Sequence, residues 1–229
     1  TFTNVPGGTA NWTFTDVTGN YNDDTGQVND VISKANATIS VTPYSVTYDA
    51  ASHTATGSAT GVLGESLSGL HLSGTTHTNA GNFTDTWTFM DVTGNYNNDS
   101  GQVNDVIDKA NATVVVTAYN VTYDANPHTA TYTVTGVAGD PGATGSSMNV
   151  SNTTRTNAGT YNGDAWSFSG GTNYNDQNGT VNDYIGQANA TVTAGSSSKT
   201  YGVAMAFAGT EFTTSGFLGG DTVTNVTLM

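Results

Sequence analysis

The 229 residues carry 18 acidic and 4 basic side chains, a net charge of -14, no cysteine and only 10% charged residues. Four cations (Lys34, Lys109, Arg155 and Lys199) cannot neutralise a phosphate backbone, which argues against nucleic acid as a partner. Without cysteine there is no disulfide framework, no thiolate nucleophile and no Cys-based metal site, and no run of 18 apolar residues offers a membrane-spanning helix.

Taken in chain order, short alternating runs are separated by Gly, Asn and Asp clusters, the pattern of many short strands. Residues 38–42 alternate apolar and hydroxyl side chains, and Pro43 ends that strand or confines it to an edge. The alternation resumes over 45–48, and residues 49–52 form a turn whose counterpart, Asp124-Ala125-Asn126-Pro127, is a strong turn string. A strand or strand pair follows over 53–62. Residues 63–74 are rich in Gly, Ser and Leu, consistent with a short helix or an irregular crossing. A turn at 79–81 leads into a strand over 83–89 with Trp87 and Phe89 on one face. A loop over 94–101 precedes a last strand over 103–107. Leu, Glu, Lys and Arg are scarce while Thr, Val and Tyr are plentiful, so strand is favoured over helix.

An internal repeat organises these elements. Residues 13–42, TFTDVTGNYNDDTGQVNDVISKANATISVT, match residues 88–117, TFMDVTGNYNNDSGQVNDVIDKANATVVVT, at an offset of 75. A third copy is more divergent and aligns Trp87 with Trp166, Tyr96 with Tyr174 and Ala110-Asn111-Ala112 with Ala188-Asn189-Ala190. The chain therefore divides into a C-terminal half-repeat over 1–35, complete modules over 36–110 and 111–188, and an N-terminal half-repeat over 189–229. Modules of about 75 residues bury a small core, and no flexible linker separates them. The expected fold is all-β, a linear array of tandem Ig-like or β-grasp-like modules. The core should be built on Trp87, Phe89, Tyr96, Val103, Ile107, Ile39, Val41 and Val46, with Trp12, Trp166, Tyr48 and Tyr123 at repeat-locked positions.

The strings VTPYSVTYDAASHTATGSATGV, THTNAGNFTDTWTF and GNYNNDSGQVNDVIDKANATV resemble the YDG/MBG-type repeats of large bacterial surface and secreted proteins. The C-terminal SSKTYG with FTTSGFLGGDTVTNVTL resembles the MBG YGX-type subclass. The resemblance covers essentially the whole chain. It implies a non-catalytic, extracellular, adhesin-like stalk on a bacterial surface, and no catalytic residues carry over. One departure is that Ala50 and Ala125 stand where the family motif has glycine, so the turn after Tyr-Asp lacks its usual left-handed residue.

Candidate chemistry is sparse. Asp23-Asp24 becomes Asn98-Asp99 and Asp176-Gln177 in the other copies, so no paired carboxylate suited to catalysis is retained. Calcium is the one cofactor suggested, through Asp16, Asp23, Asp24, Asp91 and Asp99 in the Asn/Asp-rich loops; Asx turns explain the same residues equally. His53 and His128 are repeat equivalents and too far apart in sequence pattern to share an ion. Lys34 and Lys109 precede the Ala-Asn-Ala junctions, but Gln187 in the third copy breaks any isopeptide pattern. Sequons are numerous, and those at Asn36, Asn111 and Asn189 recur at every junction as glycosylation candidates; Asn225 carries another. Two functions are weighed. One is a structural stalk or filament segment whose partners are neighbouring repeats or identical chains, joined head to tail through the half-modules. The other is an adhesin that binds a glycan or protein through the differing loops 63–74 and 138–153.

Overall fold

In the computed structural model, residues 1–224 and 226 are described. They contain 17 strands and three 3-10 turns of three residues each; among them there is no α-helix. The chain divides into two compact units, residues 1–110 and 111–229.

The first unit opens on a hairpin of β1 (Gly7–Phe14) and β2 (Asp24–Val31). The first complete module follows with β3 (Thr38–Thr42), β4 (Ser45–Thr47), β5 (Thr56–Thr60), β6 (Ser66–Leu67), β7 (Leu70–His71), β8 (Gly81–Phe89) and β9 (Asp99–Asp108). These strands form two sheets, β3-β5-β6 and β4-β9-β8-β7. Pro43 lies where the first strand leaves one sheet for the other. It has no N–H for a ladder, so β3 stops there and β4 restarts as a parallel neighbour of β9. Ala59 of one sheet and Phe89 of the other are buried in one cluster with Tyr96, and Ile39, Leu67, Leu70 and Trp87 pack against it. The module is thus a small two-sheet sandwich with alternating inward and outward residues. A β-grasp would need a helix across its sheet, and the described residues supply only 3-10 turns.

Residues 63–74, expected as a short helix or irregular crossing, hold β6, β7 and a 3-10 turn at Ser73–Thr75. Gly69, at φ 108°, carries the chain from one sheet to the other between β6 and β7. The last strand also begins earlier than expected, because Asp99–Gly101 pair with Trp87–Phe89 instead of looping out.

The second unit repeats this plan with β10 (Thr113–Thr117), β11 (Asn120–Thr122), β12 (Thr131–Thr135), β13 (Ser147–Asn149), β14 (Gly159–Ser169) and β15 (Gln177–Gly186). Its sheets are β10-β12 and β11-β15-β14-β13, and β11 again pairs in parallel with the last strand. The β6 equivalent is reduced to a single antiparallel bridge between Thr135 and Pro141, in a segment three residues longer than in the first module. The unit ends on a hairpin of β16 (Thr191–Ala194) and β17 (Phe212–Ser215), the counterparts of β10 and β12.

Candidate functional site

Three features recur with the repeat. The first is the Asp-Val-Thr-Gly-Asn-Tyr loop. Asp91 accepts the N–H and hydroxyl of Thr93 on one carboxylate oxygen and the N–H of Tyr96 on the other, while Asn98 Oδ1 accepts the N–H of Asp91. The first copy is the same: Asp16 accepts from Thr18 and Tyr21, and Asp23 accepts the N–H of Asp16. The N–H groups of Tyr21 and Thr18 and the Thr18 hydroxyl hold the Asp16 carboxyl down at about 2. Desolvation opposes the same effect at Asp91, but the Tyr96 and Thr93 donors still hold it at about 2. Asp24 and Asp99 each accept the N–H of the next residue. The five calcium candidates therefore spend oxygens on backbone donors, and no group of three or more His, Asp or Glu among the described residues is arranged to hold a metal ion. These contacts are those of Asx turns.

The loop also grips the residues before the module. Tyr96 forms a parallel bridge with Ala35, Ala35 N–H donates to Asn95 O, and Asn97 N–H donates to Ala35 O. Val5 N–H donates to Asn95 Oδ1, and Lys34 Nζ donates to the Tyr96 carbonyl. The exposed junction asparagines take part as well: Asn97 Nδ2 donates to Asn36 Oδ1, and Asn175 Nδ2 to Asn111 Oδ1. Asn189 is exposed at the third junction, and Asn225 lies outside the described residues.

The second feature was not anticipated from sequence. Each complete module buries an aspartate where its first strand switches sheets. Asp105 accepts the N–H of Tyr44, and Asp183 that of Tyr119; in both, the second carboxylate oxygen is buried without a partner. Beside them stand Asp85 and Asp164. Asp85 pairs with His77 at 2.8 Å and Asp164 with Arg155 at 2.6 Å. His77 stacks on Phe83 with ring centroids 3.6 Å apart, and Arg155 lies 5.1 Å from the centre of Tyr161, so both modules put a base over an aromatic ring at the same repeat position. Burial, reinforced by the Asp164 charge, pushes the Asp183 carboxyl up. The signal in sequence was Asp30, Asp105 and Asp183 recurring at one repeat position, in alternation with apolar residues such as Val103 and Ile107 or Val181 and Ile185. His53 and His128 each bond the Tyr-Asp carboxylate four residues earlier, Asp49 and Asp124.

The third feature is the apolar face of each sheet and what covers it. Trp87 and Trp166 are half-buried, as are Tyr48 and Tyr123. Trp12, expected in the core, is 45% exposed, and Phe14 is 48% exposed where its equivalent Phe89 is 0%. The difference is physical: Phe89 lies under the β3-β5-β6 sheet, whereas β1 and β2 form a sheet of two strands alone. The differing loops share one anchor, since Tyr96 donates to Glu65 and Tyr174 to Asp140. Neither loop 63–74 nor loop 138–153 contains a Phe, Tyr or Trp. An open cleft of about 550 Å³ lies beside the first of them, lined in part by Val5, Ile32, Val62, Leu63 and Leu67.

Comparison with protein-family models and with curated proteins finds no match to this chain.

Proposed function

We propose that this chain is a non-catalytic segment of a tandem array of Ig-like sandwiches, serving as an extracellular stalk or filament of bacterial origin. The observation that carries the reading is the junction within the first unit, where Ala35 is bonded on both sides into the Asn95–Asn97 loop of the following module. A linker that forms part of the next module's hydrogen-bonded structure transmits orientation instead of swivelling. The resemblance to YDG/MBG-type repeats supports a surface location. The surplus of acid keeps a strand-rich array soluble and discourages edge-to-edge aggregation.

Single-molecule stretching of the chain tests this. The expected record has two unfolding steps of nearly equal length, each about 25 nm for a module of about 75 residues at roughly 3.5 Å per residue. Unequal steps, or an extension with no resolvable unfolding steps, would refute a load-bearing array.

An adhesin reading draws on the cleft beside Val62 and Leu63. Because the variable loops lack aromatic rings, a stacking platform for sugars is not favoured there, and a peptide is the better ligand class. Capture of peptides on an array, lost on substitution within 63–74, would move the balance to that reading.

A further inference from the structure

The segment between β12 and β13 bends through two alanines in the left-handed region, Ala138 at φ 52° and the buried Ala143 at φ 49°. Between them lies the one Asp-Pro bond of the chain, Asp140–Pro141. Two N–H groups converge on the Asp140 carbonyl oxygen, Gly136 at 2.7 Å and Ala143 at 3.3 Å. A fixed pair of donors of this kind stabilises negative charge that develops on such an oxygen. The Asp140 side chain is itself anchored. Its Oδ1 accepts the Thr144 hydroxyl, and its Oδ2 accepts the Thr144 N–H and the Tyr174 hydroxyl. These donors, the Thr144 hydroxyl first, hold the carboxyl below the usual carboxylate range. It therefore remains an anion, the nucleophilic form, in mildly acidic solution. On the far side of the bond, Pro141 is bridged to Thr135, and the Gly142 N–H donates to Val134 O. Proline offers a tertiary amide nitrogen, which accepts a proton more readily than an ordinary peptide nitrogen as the bond breaks.

We propose that Asp140–Pro141 is a self-cleavage site, at which the folded second module cuts its own backbone in mildly acidic water. One carboxylate oxygen of Asp140 attacks the carbonyl carbon of the same residue, and the carbonyl oxygen takes up the negative charge under the Gly136 and Ala143 N–H groups. Collapse breaks the bond to the Pro141 nitrogen, which takes a proton from the solvent and leaves as an amine. The cyclic anhydride left on Asp140 is opened by water. One water is consumed in all, and the new ends are a carboxylate at Asp140 and an amine at Pro141. The first module is an internal control. Its Gly61 N–H donates to the Glu65 carbonyl at 2.8 Å in the same way, but Glu65 would need a larger ring, and Ser66 stands in place of proline. Cleavage does not by itself release the pieces, because β11 precedes the cut, β15 follows it, and the two are paired. A covalent link of the array becomes a noncovalent one that parts under load, a property beyond the structural reading above.

The test uses the full chain, held near pH 5 with and without urea and sampled by intact-mass spectrometry. The folded chain should give two products, one ending at Asp140 and one beginning at Pro141, at least ~10-fold faster than the urea-unfolded chain. The Glu65–Ser66 bond should stay whole. Asp140→Asn keeps an acceptor for Thr144 without the carboxylate and should slow cleavage at least ~10-fold. Pro141→Ala leaves the contacts of Asp140 in place and should slow it similarly, and near-ultraviolet dichroism reports that each variant is folded. A folded chain that stays intact overturns the proposal. So does one cut no faster than the unfolded chain, which is the ordinary acid lability of an Asp-Pro bond, or an Asp140→Asn chain cut as fast as the native one. The stretching record of the uncut chain does not depend on these results, so failure here leaves the stalk reading standing.

Discussion

Each indole in this chain lies flat against a glycine on the neighbouring strand. Trp12 faces Gly26, Trp87 faces Gly101 and Trp166 faces Gly179, and a Cβ at those glycines would come within 2.5–2.6 Å of the ring. A methyl group there must push the indole out of its seat, so Gly101→Ala and Gly179→Ala should each destabilise their module by about 1–3 kcal/mol, read as a lower urea midpoint. The turn after Tyr-Asp runs the other way. Ala50 and Ala125 adopt φ values of 66° and 64°, a left-handed conformation that costs an L-residue about 1–2 kcal/mol. The glycine missing from the motif has not removed the bend; alanine adopts it while Asp49 and Asp124 accept N–H groups across the turn. Ala50→Gly and Ala125→Gly should therefore stabilise by up to about 1 kcal/mol, net of the extra freedom glycine has when unfolded.

The buried carboxylates belong to the scale of elements, because they sit where β4 and β11 meet the last strands. Arg155 is the charge partner of the buried Asp164, and Arg155→Ala would strand that carboxylate at a cost of about 2–3 kcal/mol. The Asp183 carboxyl, held above its unfolded value of 3.8, favours the fold while protonated; that contribution is complete below 3.8 and is lost as pH rises through the folded-state value. Asp183→Asn keeps an acceptor for Tyr119 without the charge. It should raise the melting temperature near pH 8 and leave it nearly unchanged near pH 4, as calorimetry across that range would show. The turn carboxylates have the opposite sign. Asp16, Asp91 and Asp124, each held at about 2, stabilise the fold above their unfolded values. That stabilisation disappears as pH falls from about 4 towards 2, so acid unfolding should fall in this window and shift upward in Asp91→Asn.

At the scale of the whole molecule, the complete modules and the halves differ in how much apolar surface they cover. Tyr21 and Tyr201 are exposed in the halves, at 74% and 102%, whereas Tyr96 and Tyr174 are buried at 5% and 0%. Chymotrypsin should therefore cut dilute protein first near Tyr201 and Tyr21 and leave a core close to residues 36–188, assessed by mass spectrometry.

The repeat, the all-β class and most strands were legible in the residues. Side-chain alternation along a strand and a 75-residue period are local properties of a chain. The Asn/Asp loops were only half legible, because composition cannot tell a metal ligand from an acceptor of its own backbone N–H groups. The tertiary structure shows these carboxylates accepting N–H groups of their own loops, and it decided which strands are neighbours: β4 beside β9 is a parallel pairing across some 60 residues that no local pattern encodes. It likewise decided that Asp105 and Asp183 face inward, and that Trp12 stands open while Trp87 is half-buried. Burial depends on what lies opposite a side chain, and for these residues that partner comes from a distant stretch of the sequence.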